Sequence, residues 1–147
     1  MSSQKLYRMV VAALLCAVGI LIPMFSPIKI RLDPASFTLA SHVALFLAMF
    51  VSPGVAVAVE LGTTVGFLLA GFPPAVVLRA LVQILFVVVG AYVLARKPGT
   101  LNSFAGMSVW VLGTGLLHAV AEALVSTWFY FGGSIDQSKG FFTTIIL

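Results

Sequence analysis

The sequence predicts an all-α integral membrane protein: a six-helix transmembrane bundle with its N-terminus cytoplasmic and its sixth helix incomplete. Three observations lead there. Hydrophobic residues make up 61% of the 147-residue chain and charged residues only 8%, with a mean hydropathy of +1.18; a soluble domain carries about a quarter charged residues. Too few ionisable groups remain to cover a water-facing surface. The apolar residues are gathered into long runs, and the basic residues lie at the ends of those runs, where they set topology. The net charge of +4 therefore forms no nucleic-acid patch. Residues 1–147 read as a single transmembrane domain without a soluble lobe.

The elements follow in order. Spanning a ~30 Å hydrocarbon core takes about 20 helical residues. The runs Met9–Phe25, Gly54–Phe72, Pro74–Ala95 and Phe104–Phe131 are suited to that task. The run Phe37–Val51 is short and borrows from its flanks. The first run is retained rather than cleaved as a leader, because "IPMFSPIKIRL" offers no small-x-small cleavage pattern. A sixth run opens at Gly140 as "GFFTTIIL"; eight helical residues cover only ~12 Å, so it reads as the start of an incomplete helix.

Placing the N-terminus inside puts Lys5, Arg8, Arg96 and Lys97 on the cytoplasmic side without an acid, in line with the positive-inside rule. The first outer loop, "SPIKIRLDPAS", is the longest, while "SPG" and "GFPP" are tight turns. Pro74 suits a first helical turn, where its missing N–H would be unpaired anyway. Trp128, Phe129 and Tyr130 fall where an outer aromatic belt is expected.

Ionisable groups at membrane depth cost a few kcal/mol and need a partner or a function. His42 lies near the outer end of the second run, and Arg79 follows Pro74 by five residues. Glu122 lies toward the outer end of the fifth run, with His118 one turn deeper on the same face. Gln83 lies one turn below Arg79. These side chains are expected to share the outer half of the bilayer around a water-accessible pocket. The bland alternatives are an Arg79–Glu122 structural ion pair, an arginine snorkelling to headgroups, and a histidine bonded to a loop carbonyl. Glu60 is expected near the inner end of the third run, hydrogen-bonded within the bundle.

His118 and Glu122 at i,i+4 are half a metal site, but no third ligand is near in sequence, so no metal is assigned. The single cysteine, Cys16, allows no disulfide within the chain. There is no HExxH, Walker lysine or aspartate pair. The chain reads as no enzyme and holds no nucleotide site. Gly62, Gly66 and Ala70 form a four-spaced small stripe that lets helices approach closely, for this bundle or for a partner.

With these residues in view, the chain resembles the substrate-binding S components of energy-coupling factor (ECF) vitamin transporters. The resemblance is carried by A-x-x-x-A on the first helix (Ala13, Ala17), by "PASFTLASHVALFLAMFVSPG" and by "GFLLAGFPPAVVLRALVQ", and it runs from about Lys5 to Ile146. It implies a multi-pass protein of the bacterial cytoplasmic membrane that captures a B-type vitamin under the first outer loop. The vitamin is niacin first, with cobalamin or pyridoxine next. It implies docking, through Ala13 and Ala17, onto a transmembrane coupling subunit joined to two ATPases. This chain then carries no cofactor, and ATP and Mg belong to the partner ATPase subunits. The expected substrate contacts are His42, Arg79, Gln83, His118 and Glu122, with the aromatic rings of Phe37 and Trp128 available for stacking. Two other readings remain: a stand-alone secondary transporter using Glu60 or Glu122 as proton carrier, and a membrane scaffold that binds no ligand.

Overall fold

A computed structural model describes residues 2–25, 29–32, 35–38, 42–132, 134, 136, 137 and 139, with only the backbone described at 29–32 and 35–38. The run beginning at Gly140 lies outside the described residues. The membrane-embedded elements are all helices. Helix α1 (Ser3–Phe25) is followed by a short antiparallel hairpin, β1 (Lys29–Leu32) and β2 (Ala35–Thr38), in the first long loop. Then come α2 (Val43–Val51), α3 (Pro53–Leu69), α4 (Pro74–Val82), α5 (Ile84–Arg96) and, after a 3-10 turn at Pro98–Asn102, α6 (Phe104–Phe131).

Three stretches are long and apolar enough to cross a membrane: Ser3–Phe25, Pro74–Arg96 and Phe104–Phe131. This is a multi-pass membrane protein. The second run departs from expectation. Instead of a helix over Phe37–Val51, residues through Thr38 pair in the hairpin and the helix begins only at Val43. Its nine residues rise about 13 Å, under half of a hydrocarbon core. It is joined to α3 by Ser52 alone, which is fully extended; its hydroxyl accepts a hydrogen bond from the Val55 N–H at 3.2 Å, and Pro53 occupies the first turn. A cap and a proline together stop one helix and start the next within a single residue.

The fourth run is one span made of two helices. At Gln83 the N–H donates to the Ala80 carbonyl at 3.0 Å, an i to i−3 bond that tightens the turn between α4 and α5. Such tightening kinks a helix without a proline.

Helix α3 is the centre of the bundle, packing against α1, α2, α4 and α5. The buried core gathers Ala44, Leu45, Ala48 and Met49 of α2, Val55, Ala56 and Val59 of α3, Phe86, Val87 and Ala91 of α5, and Trp110 of α6. Hydrocarbon tails are as apolar as these side chains, so close van der Waals contact has to hold the helices together. Small residues supply that contact. A Cβ at Gly62 would lie 2.6 Å from the Cys16 sulfur, and one at Gly66 would overlap Ile20. The small stripe of α3 therefore seats α1 of the same chain. Glu60, 1% exposed, is the eighth of seventeen residues in α3, midway along the helix rather than near its inner end. Its carboxylate accepts from the Thr64 hydroxyl at 3.2 Å.

Gly90 holds α5 against two neighbours at once. A Cβ there would overlap the Met49 methyl and lie 3.0 Å from Thr114 Cγ2, and the Gly90 carbonyl accepts from Trp110 Nε1 at 3.1 Å. Gly90→Leu is expected to pry α5 away from α2 and α6, an overpacking cost of about 1–3 kcal/mol. It should lower the melting temperature of the purified protein in detergent; an unchanged melt would contradict this packing.

Candidate functional site

Three rows of side chains at helical i,i+4 or i,i+3 spacing meet on one side of the bundle. His42, Phe46 and Phe50 run along one face of α2, with His42 at its head. Arg79 and Gln83 descend α4 to the kink, and Phe86 continues the row on α5. Trp110, Thr114, His118 and Glu122 form one stripe along α6. The spacing places each set on a common face because residues four apart stack one turn above another.

The aromatic members line a half-open cavity of about 510 Å3, with Phe46, Phe50 and Val111 of its wall exposed, within the ~300–1,000 Å3 usual for small-molecule sites. Its walls are Phe46 and Phe50 on one side, Phe86 behind, and Trp110, Val111, Thr114 and Gly115 on the other, with His42 and His118 closing one end. The Phe50 and Trp110 rings lie 6.1 Å apart and those of Phe46 and Phe86 6.1 Å. Trp110 is pinned by its hydrogen bond to Gly90. The Thr114 hydroxyl donates to its own helix, to the Trp110 carbonyl at 2.7 Å. The polar character of the cavity thus rests chiefly on the two imidazoles. They meet edge to face at 4.8 Å between centroids, and Phe86 packs on His118 at the same separation.

Beyond the imidazoles lies a buried ion pair. Arg79 Nε donates to Glu122 Oε2, with the two side chains only 10% and 14% exposed. Gln83 Nε2 donates to the other carboxylate oxygen at 3.5 Å, so the kink between α4 and α5 brings a second donor to Glu122. Arg79 enters from five residues inside the start of its span, about 7–8 Å along the helix. A charge at this depth is tolerable because its partner is held by neighbouring helices.

His42, Arg79, Gln83, His118 and Glu122 are brought together from α2, α4 and α6. Trp128 is not among them; it is 71% exposed on the outward side of α6 and does not line the cavity. The side chain of Phe37 lies outside what the structure describes. Ala13 and Ala17 are exposed on α1. Among the described residues no three histidine, cysteine or carboxylate side chains are grouped to hold a metal ion. The wall residues Phe46, Phe50, Phe86 and Trp110 escaped the sequence reading. Phe46 and Phe50 continue the His42 row and Trp110 the Glu122 row at i,i+4 spacing, and Phe86 follows Gln83 by three residues, but aromatics in an apolar run look like any lipid-facing residue.

The chain matches no family model and no solved structure. It is 40% identical over 143 residues to the niacin transporter NiaX of Lactococcus lactis subsp. cremoris, a match covering 97% of this chain and 64% of that protein. The chain thus spans just under two thirds of the length of the curated protein it resembles.

Removing one member of a buried ion pair leaves the other uncompensated, at about 3–5 kcal/mol, whereas replacing both by apolar residues is close to neutral. Glu122→Leu should therefore lower the melting temperature sharply, and Arg79→Met combined with Glu122→Leu should restore most of it. If the single and double variants melt alike, the two side chains are not paired in this way.

Proposed function

We propose that this chain is the substrate-binding S component of an ECF-type importer, and that it captures nicotinate in the aromatic cavity between α2, α5 and α6. The observation that carries the reading is the likeness to a niacin transporter over nearly the whole chain, joined to a cavity suited to one aromatic ring. The pyridine ring is held between the phenylalanine and tryptophan walls, where offset stacking contributes about 0.5–1.5 kcal/mol per aromatic partner. The carboxylate points toward His42 and His118. Arg79, Glu122 and Gln83 stand behind the imidazoles and fix that end of the site. Pyridoxine and cobalamin are the next ligands to test; a corrinoid demands a much wider mouth.

In this reading the full bundle has six transmembrane helices with the N-terminus cytoplasmic, and the chain is not an enzyme. It delivers its ligand by docking onto a transmembrane coupling subunit with two ATPases, which hold ATP and Mg. Ala13 and Ala17 form the docking face. Their exposure on α1 supports that role, since small residues allow a partner helix close approach.

A binding screen of the purified protein against nicotinate, nicotinamide, pyridoxine and cobalamin tests the ligand. Saturable binding of nicotinate is expected, and Phe50→Ala should weaken it by up to about tenfold, the loss of one stacking wall. No binding of any of the four would favour a scaffold. Ala13→Trp should abolish ATP-driven uptake in proteoliposomes containing the partner subunits while leaving nicotinate affinity unchanged. Uptake by this chain alone, driven by a proton gradient, would instead support a secondary transporter.

A further inference from the structure

The ligand-facing end of the cavity has a charge problem. Nicotinate carries one negative charge, and an unpaired carboxylate taken out of water costs several kcal/mol or more. Arg79 is the nearest fixed cation among the described residues, but Glu122 already balances it, and neither lines the cavity. Arg79 and Glu122 together add no net charge. The polar groups that do face the cavity are the two imidazoles and a threonine whose hydroxyl is turned to its own helix. His118 Nδ1 is buried and has no hydrogen-bond partner among the described residues. The other described wall residues are aromatic, aliphatic or glycine and offer no second charge.

We infer that nicotinate binding takes up one proton from solvent onto the His42–His118 pair, so that the site fills as an imidazolium–carboxylate pair. This rests on the proposed function. The ligand stays a carboxylate, the proton comes from water, and release of the ligand returns it. One proton rather than two is expected, because two imidazoliums at a 4.8 Å ring separation would repel. The described charged or titratable groups around the pair are Arg79 on α4 and Glu122 on α6; α5 presents Phe86 and α2 presents Phe46. A neutral ligand of the same shape has no use for the proton. The geometry thus makes the histidine pair a selector for acid over amide whose strength depends on pH.

Isothermal titration of nicotinate into the purified protein at pH 8, in buffers of different ionisation enthalpy, counts the protons directly. An ordinary imidazole is mostly neutral at that pH, so close to one proton should be taken up per nicotinate and none per nicotinamide. Nicotinate affinity should fall about tenfold per pH unit above neutrality, the limit for one linked proton. In His118→Gln the uptake should fall away even where weakened binding remains. Nicotinate binding with no proton uptake would overturn the inference while leaving the transporter reading intact, as would uptake that persists in both His118→Gln and His42→Gln. Absence of nicotinate binding in every buffer would remove both together. The wild-type proton count decides the matter even if the variants fail to fold.

Discussion

A guanidinium and a carboxylate facing each other inside a helical bundle constrain everything around them. Arg79 and Glu122 come from helices far apart in sequence, and neither is tolerable at this depth without the other. Holding them together requires α4 to approach α6, and the tightened turn at Gln83 adds a donor to the same carboxylate. Once those two helices are fixed, the stripe above and below Glu122 is fixed as well. His118 then turns toward the head of α2, and Trp110 reaches the Gly90 carbonyl. The cavity is what remains between them.

The division of labour along that stripe is chemical. Toward one end, charge is buried and balanced, which contributes rigidity more than net stability, since a buried pair seldom outperforms an apolar replacement. Toward the other end the described lining is aromatic rings with Val111, Thr114 and Gly115. The imidazoles stand at the boundary, able to face either environment. A site with its fixed charges already satisfied and its walls aromatic discriminates by ring shape first, and by whatever charge the boundary residues supply second. That order suits a small planar heterocycle better than a peptide or a sugar.

The sequence carried some of this openly. Composition and run lengths gave the membrane class, and the depth of His42, Arg79, His118 and Glu122 put them in one neighbourhood, since few polar residues break apolar runs this long. Ser52 and Pro53 marked a boundary that the structure keeps. Other features were hidden for physical reasons. The start of α2 is hidden because "SFTLASHVAL" has no proline or glycine to end a helix, and the pairing of Ala35–Thr38 with Lys29–Leu32 is a backbone preference that hydropathy does not register. The kink at Gln83 has no proline to announce it. Glu60 lies near the start of the apolar run Gly54–Phe72 but occupies the midpoint of the helix that forms, Pro53–Leu69, so run position alone understates its depth. The aromatic walls were invisible for want of any contrast with lipid-facing phenylalanines.

Trp110 lies in the cavity wall and Trp128 outside it, so a protein with Trp128 replaced by phenylalanine reports on the cavity through a single indole. Titrating nicotinate while recording that emission is the most direct measurement of whether the aromatic cavity is where ligand goes. Saturable quenching, at the same concentrations that fill the protein by direct binding, is the expected result. Full occupancy with the Trp110 emission unmoved would mean that the ligand sits elsewhere, and the cavity would lose its role.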